Sequence, residues 1–243
     1  MALQGQTVLV VGGGSGIGAA SALALAGAGG RVMIAGRREA KLREVAAAHA
    51  GEPVIAYRTT DITQRDQVQA LVAAAIEQLG HIDMLVHAAG VNVKDRLFEN
   101  LSPADWDLQI DINLTGAFNV FHEVVPHMRE RSRGTIITIS SISGKRASKL
   151  GGAAYTASKF GVEGLTHTIG VEELDNHIRT CVISPGEVDT EILRFRPNPV
   201  TDDHRAAMLQ AEDVAAAVRF VAELPDHATV PEIIIKPAYQ AWS

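Results

Sequence analysis

The chain has 243 residues, is 47% hydrophobic, carries a formal net charge of −6 and contains one cysteine. That length and apolar content can bury one core of the larger α/β size and exclude a disordered chain. The mild acidity, without a run of Lys or Arg, excludes a nucleic-acid stripe, and the lone Cys181 excludes an internal disulfide. No apolar run approaches the ~20 residues of a membrane span, and residues 1–11 lack the basic region and apolar core of a secretion signal. The expectation is a cytoplasmic protein with no metal site and with neither nucleic acid nor membrane as partner.

Residues 6–11 form a β-branched run that ends in Gly12-Gly13-Gly14-Ser15-Gly16-Ile17-Gly18, and residues 19–28 are strong helix formers. Strand, glycine-rich turn and helix is the context a phosphate-binding fingerprint needs. Glycines let the backbone approach a pyrophosphate, and the helix N-terminus offers free N–H groups and a positive dipole end. Residues 31–35 predict a second strand, followed by Gly36-Arg37-Arg38-Glu39. In a dinucleotide-binding sheet this strand end meets the adenine ribose, where an acid would select the 2′-hydroxyl of NAD. Two arginines stand there instead. Their guanidinium forks suit a 2′-phosphate, and cations at a helix N-terminus are otherwise unfavourable.

Residues 41–50 read as a helix and residues 53–57 as a third strand, ending at Thr59-Thr60-Asp61-Ile62. Residues 64–79 form an amphipathic helix with Val68, Leu71, Val72, Ala75, Ile76 and Leu79 on its buried side. A fourth strand, 81–86, closes with His87-Ala88-Ala89-Gly90. One long helix follows over 103–131, with Ser102 as N-cap and Pro103 in the first position. Asn113 lies near its middle, where its mediocre propensity invites either a core hydrogen bond or a functional role.

Residues 134–140 form the fifth strand, with Ser140-Ser141-Ile142-Ser143-Gly144 at its carboxyl end and a loop at 145–152. Tyr155 opens the next helix, and Lys159, one turn on, shares its face. A nearby cation lowers a phenol pKa from ~10 towards the range of efficient acid–base work. Alone, the same spacing also describes an ordinary surface pair. Residues 177–184 form a sixth strand with Cys181 in its core, closing at Pro185-Gly186. Residues 191–205 are polar and irregular and read as part of a lid at about 191–210, before a helix at 211–223 and a last strand at 231–236. The alternation predicts an α/β chain: a doubly wound, Rossmann-type parallel sheet of about seven strands with helices on both faces, in a single domain over 1–243. Ligands bind such sheets at the carboxyl strand ends, where Gly12, Arg37, Asp61, His87, Ser141 and Pro185 all fall.

Gly12-x-x-x-Gly16-Ile17-Gly18, Asp61-Ile62, Ala88-Ala89-Gly90, Asn113, Ser140-Ser141-x-x-Gly144, Tyr155-x-x-x-Lys159 and Pro185-Gly186 with Thr190 occur in that order. Over its whole length the chain resembles a short-chain dehydrogenase/reductase. The resemblance implies Tyr155 as general acid–base and Lys159 as the group that lowers its pKa and holds the nicotinamide ribose. It implies Ser141 on the substrate oxygen and Asn113 on a water of a proton relay. Around the cofactor it implies Gly12, Gly14, Ser15, Gly16, Ile17 and Gly18 at the pyrophosphate, with Arg37 and Arg38 at the ribose. Asp61 and Ile62 flank the adenine; His87, Ala88 and Gly90, then Pro185 and Gly186, line the cofactor; Val188 and Thr190 meet the nicotinamide amide. It also implies a homotetramer through the helices of Asn113 and Tyr155. Three departures stand out. Val11 replaces a usual Thr, His87 a frequent Asn, and the loop before Tyr155 is about one residue longer, which leaves Ser140 or Ser143 as alternatives to Ser141.

The expected activity is hydride transfer between NADP(H) and a carbonyl or alcohol carbon, with ketone or aldehyde reduction favoured. The alternatives are an NAD(H)-dependent alcohol dehydrogenase and a non-catalytic NADP(H)-binding sensor or scaffold. No motif names the small-molecule substrate. Lys145, Arg146 and Lys149, with Arg194 and Arg196 in the lid, suggest an anionic one by their combined field; solvated loop charges are the other reading.

Overall fold

The computed structural model describes residues 2–241. Seven strands form one sheet: β1 (Thr7–Val11), β2 (Arg31–Gly36), β3 (Ala56–Thr59), β4 (Met84–His87), β5 (Gly134–Ile139), β6 (Ile178–Pro185) and β7 (Glu232–Ile235). Their order is β3-β2-β1-β4-β5-β6-β7, and every adjacent pair is parallel. Parallel neighbours require crossovers. The helices that supply them are α1 (Gly16–Gly27), α2 (Glu39–Ala48), α3 (Arg65–Leu79), α4 (Pro103–Ile110), α5 (Gly116–Glu130), α6 (Ala153–Glu172), α7 (Asp202–Ala207) and α8 (Ala211–Ala222).

Successive strand side chains point to opposite faces, and the two faces build two cores. Val8, Val10, Ile34, Val86 and Ile183 pack with Leu25 of α1 and Val214 and Val218 of α8. Leu9, Val11, Met33, Leu85 and Ile136 pack with Leu71 of α3, Phe121 of α5 and Val162 of α6. Burying one such side chain stabilises the fold by roughly 1.5–3 kcal/mol. Apolar residues on both faces of β1 therefore demand a central strand, which is where β1 lies. The chain winds outward in opposite directions from β1 and β4, so their carboxyl ends flank the crevice of a topological switch point.

Three elements differ from the sequence expectation. The third strand starts later, because Val54 is exposed while Ile55 turns into the core. The fourth also starts later, because Asp83 is occupied with Thr7: its carboxylate accepts from the Thr7 N–H (2.9 Å) and hydroxyl (3.0 Å). The expected long helix is helical from Pro103 to Glu130 but carries a π-helical turn at Asp111–Thr115. Its start is as anticipated, with the Asp105 N–H donating to Ser102 Oγ at 3.1 Å. The region 191–210 is less irregular than expected, with a short 3₁₀ turn at Glu191–Phe195 and then α7. No helix among the described residues is long and apolar enough to cross a membrane.

Candidate active site

A cleft of about 780 Å³ opens over the carboxyl ends of the strands and runs from the glycine turn to the region 191–196. Gly12 adopts φ +85°, and a Cβ there would lie 2.6 Å from the Ala89 backbone N, so only glycine permits this approach of β1 to β4. Gly18 faces away from the cleft; its Cβ would lie 2.2 Å from the Gly12 carbonyl oxygen, which explains a glycine where α1 docks on the turn. Gly14, Ser15, Gly16 and Ile17 line the floor, with Thr190 directly over Gly16. Arg37 is exposed on the rim. Arg38 Nη2 donates to Ser15 Oγ (3.0 Å) and to Glu191 Oε2 (2.7 Å). Asp61 and Ile62 line the same end, the Asp61 carboxylate accepting from the Thr63 N–H (3.0 Å) and hydroxyl (2.9 Å). Thr60 Oγ1 and Ser140 Oγ are buried on residues of the cleft wall and lack a partner among the described residues. A turn in which Gly12 admits no Cβ, arginines at one end and orphaned hydroxyls along the wall fit a bound dinucleotide.

At the other end, α6 presents Tyr155 and Lys159 on one face. The Ser141 hydroxyl is within hydrogen-bonding reach of the Tyr155 phenol and accepts from the Ser143 N–H at 3.1 Å. Of the three serines, Ser141 alone stands against the phenol. Ser143 sits beside Gly151, and Ser140 Oγ is unpartnered. Burial raises the Tyr155 pKa above that of a free phenol, partly offset by the Ser141 hydrogen bond and the Arg96 charge. The groups that lower it are therefore Ser141 and Arg96, where the sequence pointed to Lys159. Lys159 Nζ lies 5.6 Å from the Tyr155 ring centroid and donates to the Ile139 carbonyl at 3.0 Å. Burial pulls the Lys159 pKa down to about 8, and the Glu163 carboxylate partly resists this.

Asn113 sits on the π turn, behind the cleft wall. Its carboxamide accepts from the Val91 N–H (2.7 Å) and donates to the Val91 carbonyl (2.9 Å) and Ser158 Oγ (3.0 Å). Ser158 in turn donates to the Tyr155 carbonyl (2.8 Å), tying the strand-four turn to the tyrosine helix. A Cβ on Gly90 would be 3.4 Å from Lys159 Nζ and 3.5 Å from Asn113 Oδ1, so both groups converge on that glycine. Ala88, Gly90, Pro185, Gly186, Val188 and Thr190 all line the cleft.

His87 does not. Its ring is buried below the floor, edge-on to Phe121 at 5.5 Å, and neither ring nitrogen has a hydrogen-bond partner among the described residues. Burial, helped by the Lys159 charge, depresses its pKa to about 3, so it is a neutral packing group. The five loop cations also disperse. Lys145 pairs with Glu163 (2.7 Å) and Glu232 (2.6 Å), away from the cleft; Arg146 and Lys149 are exposed and lie off its wall. Only Arg194 and Arg196 line it, paired with Glu191 (3.0 Å) and Glu187 (2.8 Å). The sequence reading missed Arg96, Asn92, Glu163 and Glu187. For Arg96 and Asn92 the available signal was their place in the loop just after β4, at a carboxyl strand end.

A family model described as short chain dehydrogenase matches residues 6–199. The chain is 34% identical over 237 residues to an uncharacterized oxidoreductase of Staphylococcus saprophyticus, covering 97% of this chain and 98% of that one. Among solved structures, it superimposes on a metagenomic short-chain oxidoreductase in complex with NADP at a TM-score of 0.84, with 29% identity over 99% of this chain and 100% of that one. It also matches a 3-ketoacyl-(acyl-carrier-protein) reductase of Brucella melitensis complexed with NADH, at a TM-score of 0.87 and 25% identity over 97% and 98% of the two chains. With the family model spanning residues 6–199 and a relative 34% identical over nearly the whole of both chains, the chain belongs to the short-chain dehydrogenase/reductase family of oxidoreductases.

Proposed function

We propose that the chain moves hydride between NADP(H) and the carbonyl or carbinol carbon of a small molecule, working as a ketone or aldehyde reductase. The observation that carries this reading is the Ser141–Tyr155 pair facing the same cleft that Arg37 and Arg38 border at its far end. Bound there, the nicotinamide supplies the hydride chemistry. The protein holds the substrate oxygen with the Ser141 hydroxyl and delivers the Tyr155 proton to it as negative charge develops. Burial raises the Tyr155 pKa, so the phenol meets the substrate oxygen as a proton donor. Lys159 is the cation beside the reacting pair, and Asn113 positions Tyr155 through Ser158.

Arg37 and Arg38 support a preference for the 2′-phosphate, since no carboxylate ends β2. A second reading, NAD(H)-dependent alcohol oxidation, draws on the Arg38–Glu191 pair, which engages one of the two guanidinium groups. Residues 191–210 supply Thr190's neighbours over the cleft mouth and act as the lid. The single sheet supports one domain over the chain. Exposed Trp106, Leu108, Phe118 and Phe160 on α4, α5 and α6 support a homo-oligomer, a tetramer in the reading preferred here. The test is nicotinamide absorbance with each cofactor against a panel of ketones, aldehydes and alcohols. NADP(H)-dependent turnover supports the proposal; turnover with NAD(H) alone favours the second reading, and none with either removes both.

A further inference from the structure

Arg96 is a buried guanidinium at the substrate end of the cleft, and no carboxylate among the described residues pairs with it. Its Nε donates to the Val93 carbonyl (2.8 Å) and its Nη1 to the Leu150 carbonyl (2.8 Å), while Nη2 donates to the Phe195 carbonyl. A guanidinium has five N–H donors, so these three bonds hold its plane without exhausting it. A cation taken out of water without a counter-charge is costly. Every acid on the cleft wall is engaged elsewhere. Asp61 is bound to Thr63, Glu191 to Arg38 and Arg194, and Glu187 to Arg196, His204 and Tyr239. Arg196 adds a second positive charge close enough to act on Arg96, and Arg96 in turn acts on Tyr155. The missing counter-charge therefore belongs a short distance from the reacting oxygen.

We infer that Arg96 is the receptor for a carboxylate on the substrate, so that the protein acts on small oxo acids or hydroxy acids. This rests on the oxidoreductase reading above but draws on a residue outside the reacting set. The carbonyls of Val93, Leu150 and Phe195 pin the fork from the loop after β4, the loop before α6 and the lid. Arg196, held by Glu187, reinforces the field. A neutral substrate would leave the Arg96 charge buried and uncompensated, whereas a carboxylate would accept charge-assisted bonds from it.

The probes are propanoate, butanoate and pentanoate against their primary amides, titrated calorimetrically into the NADP⁺-loaded protein. The same protein is assayed with 2- and 3-hydroxy acids and with their methyl esters. In the wild type the carboxylates are expected to bind roughly 10- to 100-fold more tightly than the amides, and the acids to be oxidised with higher kcat/KM than the esters. Arg96→Gln should erase that ratio, and Arg96→Lys should restore part of it. Equal binding of carboxylates and amides by the wild type overturns the inference whether or not the variants fold. So does Arg96→Gln weakening both series alike, which would make Arg96 a clasp between loops. Carboxylate binding that depends on Arg96, with no nicotinamide turnover of any compound, would keep the anion site and remove the oxidoreductase reading. Turnover of neutral ketones without preference for acids would do the reverse.

Discussion

Lys159 Nζ donates its hydrogen bond to the Ile139 carbonyl, 3.0 Å away, while the Tyr155 ring centroid lies 5.6 Å from it. The ammonium is thus held inside the protein by a backbone oxygen, next to the phenol but not bonded to it. With only 4% of the residue exposed, its charge is poorly compensated.

A stability prediction follows from that burial. The Lys159 pKa falls from 10.5 to about 8 on folding. Below pH 8 both states are protonated and the native state carries the full burial penalty. Between about pH 8 and 10.5 the unfolded chain binds more protons, so native stability rises with pH there. Lys159→Met removes the charge. It should abolish turnover yet stabilise the fold at pH 7 by about 1–3 kcal/mol, and the gain should shrink as pH rises through that window. Urea midpoints at pH 7 and pH 10 measure this, and a variant less stable than wild type at pH 7 contradicts it.

Tyr155→Phe keeps the ring and removes the proton donor. Turnover should drop by roughly 10²- to 10⁴-fold, while nucleotide affinity stays close to wild type because the phenol faces Ser141 and not the glycine cradle. Stopped-flow binding and steady-state rates separate the two quantities. Substantial residual activity would remove Tyr155 from the proton-transfer role.

Cofactor choice can be tested at both arginines. Arg37→Ala with Arg38→Ala should weaken NADP(H) by about 1.5–3 kcal/mol, the value of charge-assisted bonds, and leave NAD(H) little changed. Glu191→Gln has the opposite expected sign. It releases Arg38 from a half-exposed ion pair worth ~0–1 kcal/mol, so NADP(H) affinity should rise by up to about fivefold. Equal losses for both nucleotides in the double variant would show that the arginines do not read the 2′ position.

His87 predicts the acid behaviour of the fold. Its native pKa is about 3 against 6.5 when exposed, chiefly through burial. Above pH 6.5 both states are neutral and the full native stability is present. As pH falls from 6.5 towards 3 the unfolded chain takes up a proton that the native ring refuses, and stability is lost at up to ~1.4 kcal/mol per pH unit from this group. His87→Leu removes two orphaned nitrogens and should flatten that slope without loss of stability at pH 7. Denaturation curves at pH 7, 6 and 5 that fall in parallel for both proteins would refute the assignment.

The elements and half of the site were legible because they are local. β1 announces a buried parallel strand by its short, mostly β-branched apolar run, Gly12 to Gly18 a tight turn before a helix, and Tyr155 with Lys159 a shared helical face. Each rests on a fixed backbone period or on the φ freedom of glycine, and neither needs knowledge of the rest of the chain. What tertiary structure alone decided was which charges are paired and which are buried. Arg38 meets Glu191 across 153 residues, and Lys145 meets Glu232 across 87, so two cations that the sequence offered to a ligand are already engaged. Arg96 looked like any loop arginine until Leu150 and Phe195 closed over it, and His87 like any strand-end histidine until Phe121 covered its ring. Charge energetics depend on desolvation and on partners brought from distant segments, and no spacing rule along the chain encodes either.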